Sequence, residues 1–229
     1  LLITALWEET GDIVEGLDWV ASLLGAHGRV LPVAEEPLDI VAQVRGLDPS
    51  APNDVEVVFG QVAVATTPGQ VIDIRLEPPN PSACQPALDA IVAADAIVVG
   101  PGSWFTSVLP HFRVNGVIEA MNQSSARRIL VLNRAPQPGE TSGFEPQTHL
   151  EVLHRLFPDL RFDAVLADPA SVPDLDPLHD AAAAIGASVV LRPIGRDDDP
   201  TRHDSDLLAS AFGSLLRELD GHERIAPWQ

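Results

Sequence analysis

The sequence predicts an α/β protein: a mainly parallel sheet with helices on both faces and a small β-rich insertion. Three observations carry that prediction. From residue 82 onward, short unbroken apolar runs alternate with helical patterns, and strands covered on both faces read as such runs. Before that, Ile72, Ile74 and Leu76 alternate with Asp73, Arg75 and Glu77, the period of a half-buried strand. The chain has 229 residues, 45% hydrophobic and 21% charged, enough for one large domain. The expectation is a single domain over 1–229 with the β-rich insertion at 29–80 inside it.

The elements follow in order. Residues 1–25 hold two helical pieces separated by Thr10-Gly11-Asp12. Asp12 is placed to cap the second piece, with Glu15 reaching back as in a capping box. Ile13, Val14, Leu17, Val20, Ala21 and Leu24 share one face of it. In the insertion, 38–44 is expected as a strand. Val62 and Val64, before Thr66-Thr67-Pro68-Gly69, are expected as the partner arm of a hairpin with 72–76. Residues 48–54 read as an exposed loop. Ser82 is expected to cap a helix carrying Leu88, Ile91 and Val92. Next come a strand at 96–99 stopped by Gly100, a helix over 117–123 and a strand at 129–132. A helix at 146–157 turns Leu150, Leu153 and Leu156 inward. Strands at 164–166 and 189–191 and a closing helix over about 204–219 finish the series.

Composition removes several classes of function. All 14 cationic residues are arginines, and there is no lysine and no tyrosine. Schiff-base chemistry and a P-loop lysine are therefore excluded within these residues. The one cysteine, Cys84, excludes an internal disulfide and a multi-cysteine zinc site, and reads as a packed small hydrophobe. A formal net charge of −19 speaks against nucleic acid as a partner. No apolar run is long enough to span a bilayer, and no signal-peptide pattern opens the chain, so a cytoplasmic protein is expected. Leu1-Leu2-Ile3 already reads as core, and a preceding N-terminal segment is expected.

In an open parallel sheet, ligands bind beyond the carboxyl ends of the strands. Applied here, that rule gathers Gly100-Pro101-Gly102-Ser103, Asn133, the segment Gln137 to Thr141, Asp168 and Thr201-Arg202-His203-Asp204 on one edge. Gly100 and Gly102 allow close backbone approach. A helix beginning near Ser103 would aim N–H groups at an anion, with Ser103, Thr106 and Ser107 adding hydroxyls; a plain N-cap at Ser103 is the alternative. Asn133 has an amide for a ribose or base, or for its own loop. Glu140 and Thr141 either face the cleft or cap their turn. Arg202 has the fork geometry for phosphate oxygens. His203 is a hydrogen-bond or acid/base candidate, and Asp204 is a natural cap. His149 reads as a loop anchor or cleft residue. No catalytic residue and no metal ligand is assigned.

The segments GPGSWFTSVLP, VLNRAPQPGETSGF with the helix containing His149, and TRHD before the last helix together resemble the YvcK/CofD-like superfamily. The resemblance runs in order along essentially the whole chain and is greatest to its gluconeogenesis-factor (YvcK-type) branch. It implies a Rossmann-like fold whose glycine-rich first loop and aspartate-rich segment lie upstream of Leu1. Val114-Asn115-Gly116 stands where a Pro-Gly pair is usual. YvcK-type proteins are cytoplasmic, bind nucleotide sugars such as UDP-N-acetylglucosamine, and influence carbon use, cell shape and cell-wall synthesis without an established reaction. CofD-type relatives transfer a phospholactyl group from a guanosine-linked donor to a deazaflavin, with magnesium. Carried over, Gly100, Gly102, Ser103 and Thr106 would contact phosphate or sugar. Asn133, Glu140 and Thr141 would line the cleft, and Arg202 would contact the nucleotide sugar. No cofactor is fixed; magnesium belongs only to the transferase alternative. A homo-oligomer stays open.

Overall fold

The protein is described from a computed structural model covering residues 1–199 and 201–223. Two helices open it, α1 (Leu2–Thr10) and α2 (Ile13–Leu24). Gly11 ends α1 in the left-handed region, and Asp12 caps α2 by accepting the Val14 and Glu15 N–H groups at 2.7 and 3.0 Å. The capping box does not close: the Asp12 N–H donates to Thr10 Oγ1 instead. The shared apolar face of α2 is not buried either. Gly16 is its only buried residue, and Leu24 is 73% exposed, because α2 packs chiefly on α1.

The insertion is an antiparallel sheet of β1 (Asp39–Arg45), β2 (Val55–Phe59) and β3 (Gln70–Glu77), with β1 in the centre. The expected hairpin arm at 62–64 is instead a short helix, α3 (Gln61–Ala65), and β3 pairs with β1. Gly60, at φ 88°, breaks the chain after β2. The turn that follows drives Val64 into the core and leaves Val62 78% exposed. Two valines at spacing two are compatible with either conformation, and packing decides.

The second half holds α4 (Gln85–Ala93), β4 (Ala96–Val99), α5 (Val117–Gln123), β5 (Arg127–Val131), α6 (Pro146–Leu156), β6 (Ala164–Ala167), α7 (Leu175–Ala184), β7 (Ser188–Leu191) and α8 (Ser205–Glu223). The four strands form a parallel sheet in the order β4-β5-β6-β7. Cys84, buried, takes the cap position of α4 in place of Ser82. The helix α7 adds to the expected elements. Its cap is Asp174, which accepts the Asp176 N–H, and Leu178, Ala181 and Ala182 form its buried face beside exposed alanines.

Alternation along β5 and β6 builds two cores. Leu130, Leu132, Val165 and Ala167 join Leu150 and Leu153 of α6, Leu178 of α7 and the inner face of the small sheet. Ile129, Val131, Ala164 and Leu166 point the other way, onto Ala211 and Leu215 of α8. Both faces of the two central strands are therefore dry, which is why they read as unbroken apolar runs, while the edge strands β4 and β7 stay partly exposed. No described helix is long and apolar enough to cross a membrane.

Candidate functional site

The strand ends converge as the parallel-sheet rule requires. β4 stops at Gly100, at φ 72°, where a Cβ would lie 2.8 Å from the Val131 carbonyl. Only glycine turns this close to β5. Asn133, just beyond β5, clamps that turn. Its Oδ1 accepts the Gly102 N–H at 3.0 Å and its Nδ2 donates to the Gly102 carbonyl at 2.8 Å. Gln137 extends the clamp by donating to Ser103 Oγ at 3.2 Å.

Beneath the turn lies Glu140. It is 5% exposed. Its carboxylate accepts the Phe105 N–H at 2.9 Å and the Thr106 hydroxyl. Thr141, fully buried, accepts the Gln137 N–H at 2.7 Å and returns its own N–H to the Gln137 carbonyl at 3.0 Å. Thr106 and Glu140 thus hold the two loops together, while Thr141 closes the 137–144 loop on itself. They support the rim from below rather than line an open cleft.

The expected helix behind the glycine turn is also different. Trp104–Val108 is a π-type turn, Leu109–Arg113 a 3-10 turn, and Ser103 makes no side-chain cap. Such short turns sum few peptide dipoles, and Glu140 already occupies the Phe105 N–H. The Ser103 and Trp104 N–H groups and the exposed Ser107 hydroxyl keep no partner among the described residues. A hollow of about 370 Å³ beside Gly100–Gly102 is walled mainly by apolar side chains, including Val99, Phe112 and Met121.

His149 locks the two loops from α6. Its ring meets Trp104 and Phe144 edge-on, with centroids 5.2 and 5.3 Å apart. Nδ1 donates to the Glu145 carbonyl at 3.3 Å, and buried Nε2 has no partner. Burial pushes this imidazole below its ordinary pKa, only partly opposed by the carbonyls of Glu145 and Pro146.

The fourth loop, between β7 and α8, is held by Arg134, a residue without a role in the sequence reading. Arg134 Nη1 donates to the carbonyls of Arg202 at 2.9 Å and Asp199 at 3.2 Å. Its Nε lies 3.5 Å from Asp168 Oδ2, and both side chains are under a tenth exposed. A Cβ at Gly195 would collide with the guanidinium, so the loop backbone passes directly over Arg134. Asp168 sits at the end of β6. Burial acts to raise its pKa, but the Ile194 and Ala170 N–H groups, each at 2.9 Å, and the Arg134 charge hold it below the usual carboxylate value.

This scaffold presents Arg202 and His203. The Arg202 side chain is exposed and makes no hydrogen bond to a described residue, while its carbonyl is taken by Arg134. His203 is half-buried, with Nε2 unpaired. Burial lowers its pKa against an opposing hydrogen bond to the Leu132 carbonyl. Asp204 caps α8, accepting the Asp206 and Leu207 N–H groups at 3.0 Å each. Among the described residues no cluster of three or more His, Cys, Asp or Glu is placed to hold a metal ion. The sequence placed Asp168 on this edge as a strand end, without a role there. Arg134 had no signal beyond standing next to Asn133.

The family described as 2-phospho-L-lactate transferase CofD matches residues 1–193. The chain belongs to the YvcK/CofD-like superfamily. A Mycobacterium tuberculosis (strain H37Rv) relative named "Putative gluconeogenesis factor" is 40% identical over 226 residues, 97% of this chain and 66% of its own length. A "Gluconeogenesis factor" from Halalkalibacterium halodurans is 31% identical over 153 residues, 67% of this chain and 45% of that protein. This YvcK/CofD-like chain therefore spans less than two thirds of those relatives. A crystal structure of a UPF0052 family member from Bacillus halodurans superimposes with TM-score 0.75 at 24% identity, over 93% of this chain and 70% of that one. It shares the fold, a Rossmann-like α/β layer with the small antiparallel sheet attached.

Proposed function

We propose that this chain is the nucleotide-sugar-binding part of a cytoplasmic regulatory protein that acts by binding rather than by catalysis. Its ligand is of the UDP-N-acetylglucosamine type, and its role is to link central carbon metabolism to cell-wall synthesis and cell shape. One observation carries the ligand assignment. Asn133 ties the glycine turn, and Arg134, its neighbour, ties the Arg202 loop. This pairing supports a reading in which the unspent Ser103 and Trp104 N–H groups and the exposed guanidinium of Arg202, which neighbours the Asp198 and Asp199 charges, serve one ligand. Backbone N–H groups and an arginine fork are the donors these residues, without a lysine, can offer a diphosphate. The relatives named gluconeogenesis factors support the regulatory part of the reading.

The family description favours a second reading, a 2-phospho-L-lactate transferase using a guanosine-linked donor, a deazaflavin acceptor and magnesium. Calorimetry separates the two. UDP-N-acetylglucosamine is expected to bind, and Arg202→Ala to weaken it at least about tenfold, ~1.4 kcal/mol. Equal affinities for wild type and variant would remove Arg202 from the site. Turnover of a deazaflavin with the guanosine-linked donor would establish the transferase.

A further inference from the structure

A second polar cleft lies away from the strand-end rim, and no residue of that rim lines it. It has a volume of about 600 Å³ and opens between the outer face of the small sheet and the ends of α6 and the 109–113 turn. We propose that this cleft binds a small organic polyanion, a molecule carrying two or more carboxylate or phosphate groups.

The argument begins with charge. The chain carries 33 acidic and 14 basic residues, so a randomly chosen hollow would be acidic. This one is lined by three arginines, Arg45, Arg113 and Arg155, against a single carboxylate, Asp73. Register explains part of the convergence. Arg45 pairs with Gln70 and Gln43 with Asp73 across β1 and β3, so residues from both strands meet on the face turned away from the core. Arg113 enters from the end of its 3-10 turn, and Arg155 from the last turn of α6.

Two of the guanidinium groups are fixed before any ligand arrives. Arg113 Nη2 donates to Asp73 Oδ1 at 2.7 Å, and its guanidinium carbon stands 4.8 Å above the centre of the Phe157 ring. Its Nε finds no acceptor. Arg155 Nη1 donates to the Ile72 carbonyl at 2.9 Å. A guanidinium has five N–H donors, so each contact leaves donors unspent. The Arg45 guanidinium and the Gln43 and Gln70 amides have no partner among the described residues. Asp73 offsets one of three positive charges, and two remain for a ligand to neutralise. Planar forks held in place match carboxylate and phosphate oxygens in pairs. Merely solvated arginines would need neither the carbonyl anchor nor the ring beneath.

This inference does not depend on the nucleotide-sugar reading. The test is calorimetry of the protein at low salt with pyrophosphate in one arm and citrate in the other, which distinguishes phosphate from carboxylate recognition. The variant is Arg45→Gln with Arg155→Gln, both side chains being exposed. Saturable binding of at least one probe is expected, weakened at least about tenfold in the double variant, with the affinity for UDP-N-acetylglucosamine unchanged. Absence of binding by either probe up to about 10 mM, or equal binding by the variant, overturns the proposal. So does binding that UDP-N-acetylglucosamine displaces and the double variant leaves intact, which would place the probe on the rim alone.

Discussion

Asn133 is the side chain on which the glycine turn depends, because it satisfies both the N–H and the carbonyl of Gly102. Asn133→Asp keeps an acceptor for the N–H but loses the donor, and sets a negative charge against the Gly102 carbonyl. The expected loss of stability is about 1–3 kcal/mol, read by chemical denaturation, with affinity at the proposed nucleotide-sugar site falling in parallel. Unchanged stability would show that the turn stands without its clamp. The sequence marked Asn133 as a strand-end residue but left its partner open, since Gly102 lies 31 positions away. Glu140 was harder to read. A glutamate after Pro138-Gly139 looks like part of an exposed turn, and nothing local reveals that the segment folds beneath 104–106 and buries the carboxylate.

Among the elements, the 195–204 loop shows how one buried cation organises a segment without secondary structure. Arg134→Ala leaves Asp168 without its counter-charge and frees the Arg196, Asp199 and Arg202 carbonyls, for a cost on the order of 3 kcal/mol. Hydrogen exchange should quicken at the Arg196 and Asp204 amides, which bond to the Arg202 and Ile194 carbonyls, and Arg202 should lose its fixed position on the rim. Arg134→Lys cannot reproduce the fork and should recover only part of the loss. At α6 the element is held by an imidazole kept neutral through burial. Its folded pKa lies below the unfolded value of about 6.5, so between the two the unfolded chain binds more protons. Stability therefore falls as pH drops below about 6.5. His203, shifted the same way, adds to the slope. His149→Phe keeps the ring contacts with Trp104 and Phe144 and removes one titration. Its melting temperature should drop less than that of wild type as the pH is lowered from about 7.5 to 5.5; equal drops would acquit His149. The strand at 96–99 was readable to the residue because Ala96–Val99 is an unbroken apolar run stopped by Gly100, although as an edge strand it leaves Val98 45% exposed. α7 and the 61–65 turn were not, because alanine runs and paired valines suit more than one conformation.

At the scale of the whole molecule, the two sheets share one core. Ile74 of β3 and Leu153 of α6 belong to the same buried cluster, while Leu166 of β6 faces α8 in the second cluster. A change of period led the sequence to expect an insertion at 29–80, yet a change of period does not say whether such a segment folds by itself. Shared packing makes it an attachment of the larger layer: with its inner face uncovered, a three-stranded sheet has little apolar area left to offset its ordering entropy. Ile74→Ala and Leu166→Ala should each cost about 2–5 kcal/mol. In calorimetric melting both should displace one common transition, with the enthalpy still in a single peak. An independently folding insertion would behave otherwise. Ile74→Ala would then split off an early, small transition and leave the main one where it was, and Leu166→Ala would move only the main one. That pattern would separate 29–80 from the parallel sheet, and binding at the proposed site around Gly102 and Arg202 would survive melting of the insertion.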